Sequence, residues 1–200
     1  MSLSRIALDL DDGVKVNYNK MQTAAGFDEE KFMNKTFPQE AQVIMNERFG
    51  RDTLIGLATV EGNVPSVRTV DAYYENGAFY IITYGQSNKM KQLEKNSNVG
   101  ICGDWFTAHG KGVNLGWFCK EENKDIADKL KKAFSEWIDN GHNNFDDENT
   151  IILCVRLTDG ILFSHGKRYD IDFTHIYLHS EALCAEDASR ICDASAQILV

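Results

Sequence analysis

Three apolar runs follow one another between residues 54 and 84: LIGLATV, VPSVRTVDAYY and AFYIIT, separated by Glu61-Gly62-Asn63 and Glu75-Asn76-Gly77. Asn-Gly between alternating apolar residues is a strong hairpin signal, because both residues tolerate the positive φ of a tight primed turn. The runs therefore predict consecutive antiparallel strands. Further strand-like runs are VGICGDWF, GVNLGWF, TIILCVRL and GILFSHG. Helical spacing appears elsewhere. Ala41, Ile44, Met45 and Phe49 recur at helical intervals after the break at Phe37-Pro38, predicting a helix over 39–49. A short helix is predicted around Lys89 to Glu94. Over Lys120 to Gly141, residues Ile126, Leu130, Phe134, Trp137 and Ile138 form one stripe, which predicts an amphipathic helix ended by Gly141. Near the N-terminus, Ile6 to Leu10 and Val14 to Tyr18 alternate around Asp11-Asp12-Gly13, a hairpin-like pattern. The sum is a mainly β protein, a small antiparallel barrel with a few flanking helices. Such barrels close their sheet edges and leave room for a ligand at the mouth or at a subunit boundary.

Composition narrows the classes of function. Two hundred residues, 43% of them hydrophobic, suit one compact domain with extensions. A formal net charge of −9 argues against a nucleic-acid or anionic-membrane surface, which needs clustered Lys and Arg. The five cysteines are odd in number and never fall in a C-x-x-C pair, so neither a disulfide framework nor a zinc knuckle is indicated, and a reducing cytoplasm is the expected location. No stretch approaches the roughly 20 apolar residues of a membrane span.

The chemistry concentrates in TYGQSNKMKQLEKNSNVGI, from Thr83 to Ile101. Two readings fit its first seven residues. In one, Gly85 to Asn88 is a turn and Ser87 caps the following helix, leaving Lys89 in solvent. In the other, the helix start with its unpaired N–H groups, the hydroxyls of Thr83 and Ser87, and the Lys89 cation form a cradle for a phosphate. Other candidates are weaker. His175 and His179 in FTHIYLHS would share a strand face about 13 Å apart, too far to share a metal. Cys102 and His109 lie near each other in sequence, yet an apolar strand is the usual home of an inert cysteine. Trp105, Phe106 and Trp117 read as core or dimer packing.

The run VPSVRTVDAYYENGAFYIITYGQSNKMKQLEKNSNVGI resembles the FMN-binding split-barrel family typified by pyridoxamine 5′-phosphate oxidase. In that family an R-x-V strand is followed by a hairpin strand ending in T-x-x-x-S-x-K, a short helix and an N-x-x-V strand. Here Arg68-Thr69-Val70, then Thr83, Ser87 and Lys89, then Asn96 and Val99 follow in that order. The resemblance covers residues 39–173, leaving 1–38 and 174–200 as N- and C-terminal extensions. It implies an FMN site built from Arg68, Thr69, Val70, Thr83, Tyr84, Ser87, Asn88 and Lys89. Arg68 and Lys89 would hold the phosphate, and the backbone at Thr69-Val70 would run along the ring edge. Alternation along the strand should set Arg68 and Val70 on one face and Val67 and Thr69 on the other. The resemblance further implies a homodimer, and an oxidoreductase acting on a small molecule with NADH or NADPH as candidate donor. A non-catalytic, stress-related flavin-binding protein is the alternative. Two departures bear on substrate: Tyr73 stands where the oxidase has a lysine, and GKRYDIDF lacks the histidine of its R-x-H pair.

Overall fold

The computed structural model describes residues 38–141 and 143–174. The strands are β1 (Thr53–Glu61), β2 (Val64–Glu75), β3 (Ala78–Tyr84), β4 (Asn98–Gly103), β5 (Phe106–Trp117), β6 (Thr150–Ser164) and β7 (Lys167–Asp172). The helices are α1 (Gln39–Phe49) before β1, α2 (Asn88–Lys95) between β3 and β4, and α3 (Lys124–Ala133) between β5 and β6. All strand pairings are antiparallel. The sheet order is β3-β2-β1-β4-β5-β6-β7, and β3 also pairs with β6, so six strands close into a barrel and β7 continues beyond β6. The mainly β barrel expected from the sequence is the fold observed.

Alternation explains the interior. Ile55 and Leu57 of β1, Ala72 and Tyr74 of β2, Phe79 and Ile81 of β3, and Leu153 and Val155 of β6 point into one core, closed at its ends by Met45 and Phe49 of α1 and by Met90 and Leu93 of α2. Each such large side chain contributes about 1.5–3 kcal/mol on burial. A second apolar cluster lies outside the barrel wall. There Phe118, Leu130, Phe134 and Ile138 cover Ile152, with Tyr73, Tyr80 and Ile82 packed alongside.

The Asn76-Gly77 turn has φ of 48° and 79°, the paired positive values that Asn-Gly predicts. Other boundaries differ from the sequence reading. TIILCVRL and GILFSHG are one strand, β6, because a register shift between His109 and Gly110 of β5 sets Leu157 and Asp159 opposite them and leaves Thr158 over. Ile151, Leu153, Val155 and Leu157 enter the barrel core from odd positions, whereas Gly160 and Leu162 turn even ones inward, so the bulge absorbs the phase change that looked like a break. VGICGDWF is divided instead: Asp104-Trp105 is a turn, Trp105 has φ 53° and is exposed, and Phe106 begins β5 in the core. The amphipathic stripe packs as expected, but α3 ends at Ala133 and the residues beyond it form successive turns, closed by Gly141 at φ 83°. Sequence expectations for the hairpin-like pattern before residue 38 and for His175 and His179 lie outside the described residues.

One feature of the topology positions the site. β2 pairs with β1 over Val64–Ala72, but with β3 only at Tyr73, Tyr74 and Glu75. The two strands part beyond that point while β3 continues along β6. Among the described strands, none pairs with the second edge of Val64–Ala72.

Candidate functional site

β2 alternates as expected: Arg68 and Val70 are half-buried, whereas Val67 and Thr69 are exposed on the opposite face. Arg68 therefore projects from the inward face of β2, near Thr59 on the inward face of β1. Its Nη1 donates to the Leu57 carbonyl at 3.1 Å and to Thr59 Oγ1 at 2.6 Å, and its Nη2 donates to Gln92 Oε1 at 3.2 Å. Thr59 is fully buried, and its hydroxyl donates to Gln92 Oε1. Gln92, also buried, donates from Nε2 to Ser66 Oγ at 3.3 Å. All these partners are neutral. Three of the five donors of the guanidinium are thus engaged, and the other two have no partner among the described residues.

Lys89 stands in the first turn of α2, half-buried. Burial first, and the Arg68 charge second, hold its ammonium below the usual lysine range. Burial likewise lowers the Arg68 guanidinium. No described carboxylate forms an ion pair with either residue. Two cations are therefore gathered beside a helix start whose first N–H groups have no intrahelical acceptor. That arrangement suits an oxyanion.

Ser87 occupies the N-cap position of α2, with extended backbone, but its side chain makes no capping bond. Its Oγ is buried and has no hydrogen-bond partner among the described residues. The simple capping role is thus not what the side chain does. A buried hydroxyl left unpaired costs about 1–3 kcal/mol, a cost that a hydrogen-bonding ligand at this position would offset. The two uncompensated cations and this orphaned hydroxyl fit a phosphate in charge and in donor chemistry.

The remaining expected residues divide. Thr83 is half-buried, on the same face of β3 as Phe79 and Ile81. Tyr84 and Asn88 are exposed at the two ends of the connecting turn, whose Gly85 N–H is tied to the Asn149 carbonyl at 2.7 Å. Thr69 is exposed and faces away from Arg68, although its backbone lies on the segment whose second edge is open. The sequence reading missed Thr59, Gln92 and Ser66. Thr59 carried a signal, as a polar residue next in step after the inward Ile55 and Leu57. Gln92 carried none, because its neighbours Met90 and Leu93 already account for the buried face of α2.

The departures take definite form. Tyr73 lies on the face of β2 opposite Arg68, packed against the outer cluster, and burial together with the nearby Glu75 pushes its phenol above the usual range. Arg168 is held by the Asp170 carboxylate at 2.6 and 3.0 Å on β7, so the guanidinium in GKRYDIDF is charge-compensated by its own strand. Cys102 and His109 both line a hollow of about 310 Å³ on the outer wall, where His109 Nδ1 meets Asp159 Oδ1 at 2.8 Å. No bond joins Cys102 to His109. Among the described residues there is no cluster of His, Cys, Asp or Glu able to hold a metal ion, and no helix long and apolar enough to cross a membrane.

No family model and no curated protein matches the chain. Solved structures do. General stress protein 26 from Bacillus anthracis superposes with a TM-score of 0.50 at 14% identity, over 66% of this chain and 100% of that one. A FAD-binding protein from Mesorhizobium loti gives 0.48 at 12% identity, over 59% of this chain and 90% of that one. A protein of the pyridoxinephosphate oxidase family from Clostridium acetobutylicum, related to general stress protein 26, gives 0.45 at 16% identity, over 76% and 100%. At such identities the likeness is one of fold, the split barrel that the sequence resembles.

Proposed function

We propose that the protein binds FMN through its phosphate at Arg68, Ser87 and Lys89 and serves as a flavin-dependent oxidoreductase for a small organic molecule. The observation that carries this reading is the pair of cations, Arg68 and Lys89, with no carboxylate partner among the described residues, together with the buried Ser87 hydroxyl, which has no partner among them either. A flavin supplies hydride and single-electron chemistry when bound, and the protein contributes binding, orientation and tuning. In this chain Arg68 would grip a phosphate with its planar fork, Lys89 would add a point charge, and Ser87 would donate its hydroxyl. The open edge of β2 at Thr69 and Val70 supplies backbone donors and acceptors for the polar rim of a flat ring.

Pyridoxamine 5′-phosphate is not the expected substrate. Tyr73 is turned into the outer cluster and Arg168 is neutralised by Asp170, so the charge-assisted contacts for that substrate are missing. A site built around such contacts rejects ligands by orders of magnitude when they are lost. A homodimer belongs to the same reading. Leu54, Val64 and Val67 expose large apolar side chains on the adjoining strands β1 and β2, next to the open edge, and a second copy would cover them.

Anaerobic titration of the FMN-loaded protein with NADH or NADPH tests the reaction class. Bleaching of the visible flavin band, without aldehyde formation from pyridoxamine 5′-phosphate, is the expected result. Bound FMN that neither donor reduces would assign the protein to flavin storage instead.

A further inference from the structure

We infer that Gln92 is a positioning and specificity residue: its neutral amide holds the Arg68 guanidinium in place and leaves its positive charge uncancelled for a phosphate. This rests on the FMN reading above.

The argument begins with proton bookkeeping. Thr59 Oγ1 accepts from Arg68 Nη1, so its hydroxyl hydrogen is free to go to Gln92 Oε1, which also accepts from Arg68 Nη2. Gln92 Nε2 is then the donor to Ser66 Oγ. Turning the amide over would set its NH₂ against the guanidinium and the oxygen towards Ser66, placing donor against donor. The donor-only guanidinium therefore sets which way the amide faces, and the bonds to Thr59 and Ser66 hold the amide in place against Arg68. Met90 and Leu93, both in the barrel core, hold α2 so that Gln92 cannot withdraw.

Electrostatics explains why an amide stands there. A partly buried guanidinium is ordinarily met by a carboxylate, since an unpaired charge away from water is costly. Here every acceptor of Arg68 is neutral: a carbonyl, a hydroxyl and an amide oxygen. Glutamate has nearly the same shape as glutamine and would accept the same bond from Nη2. It would also cancel the charge of Arg68 and draw Lys89 towards itself. The neutral choice leaves two positive charges within reach of each other, where burial first and the Arg68 charge second lower Lys89. A dianionic phosphate would relieve that repulsion, whereas a neutral ligand of the same ring system would not.

The experiment compares FMN with riboflavin by flavin-fluorescence titration for the wild type, Gln92→Glu and Gln92→Met. Wild type should prefer FMN by about tenfold or more, the worth of one charge-assisted hydrogen bond. Gln92→Glu should reduce that preference by about tenfold while riboflavin affinity stays within about threefold. Gln92→Met, which frees Arg68 without cancelling it, should fall between. Weakening of both ligands in equal proportion would mean a merely structural glutamine, and an unchanged preference in Gln92→Glu would likewise overturn the inference. Should Gln92→Glu not fold, an unchanged preference in Gln92→Met overturns it as well. A wild type without preference for FMN would remove the phosphate site itself, whereas preserved preference in the variants removes only the role of Gln92.

Discussion

Lys89 lies within electrostatic reach of Arg68, and burial and that like charge together hold its ammonium below the usual lysine range. The relationship is unfavourable in the free protein and becomes favourable when an anion sits between the two groups.

The first prediction concerns pH. A lysine whose folded-state pKa is depressed is protonated in both states below that pKa, and the folded protein then carries the whole penalty. As pH rises from the folded pKa towards the ordinary value of 10.5, the folded state gives up its proton first, so the contribution of Lys89 to stability increases. Urea unfolding of the flavin-free protein should thus show an alkaline gain that Lys89→Met lacks. FMN affinity should run the opposite way in that window, since deprotonation removes a charged contact. Equal slopes for the two proteins would show that Lys89 is not perturbed by its surroundings.

The second prediction concerns the orphaned hydroxyl. Ser87→Ala deletes a buried, unpaired Oγ, so the flavin-free protein should be stabilised by about 1 kcal/mol. The same change should weaken FMN binding by about 1 kcal/mol, the usual net worth of one hydrogen bond. Opposite signs in the two assays would identify a hydroxyl kept for a ligand. Destabilisation of the flavin-free protein would instead mean that Ser87 serves the fold.

The third concerns the bulge. A Cβ at Gly110 would come 2.5 Å from the Arg156 carbonyl oxygen, a backbone atom that cannot turn aside. Gly110→Ala should destabilise by about 1–3 kcal/mol through overpacking, at the point where β5 and β6 change register. A Cβ at Gly112 meets only the end of the Leu93 side chain, at 2.8 Å, so Gly112→Ala should cost less. Thermal melts of the two variants check the order.

Most of the barrel was legible because its strands bury one face, and alternation records which. Ile55, Leu57, Phe79 and Ile81 could be placed inward on that ground alone. The errors fall where a second influence acts. The Thr158 bulge shifts the phase within β6, which reads as two strands. Trp105 at φ 53° turns the chain between apolar residues that would otherwise continue one strand. Beyond Ala133 the apolar stripe persists, since it records what faces the outer cluster, while the backbone forms successive turns.

The site was legible in part. Thr83, Ser87 and Lys89 stood out by spacing as one of two readings of that helix start, and Arg68 joined them only through the family resemblance. The network behind Arg68 joins β1, β2 and α2 through Thr59, Ser66 and Gln92, residues 26 and 33 positions apart in their contacts with Gln92. No local pattern contains it, because it exists only after the barrel closes.

The central claim is that these residues hold a phosphate, and isothermal titration of FMN against riboflavin measures it most directly. FMN should bind more tightly than riboflavin, and Lys89→Ala should cost FMN about 1.5–3 kcal/mol, the value of a charged hydrogen bond, while leaving riboflavin nearly unchanged. Equal affinity for the two flavins, or an equal loss for both in Lys89→Ala, would contradict the account.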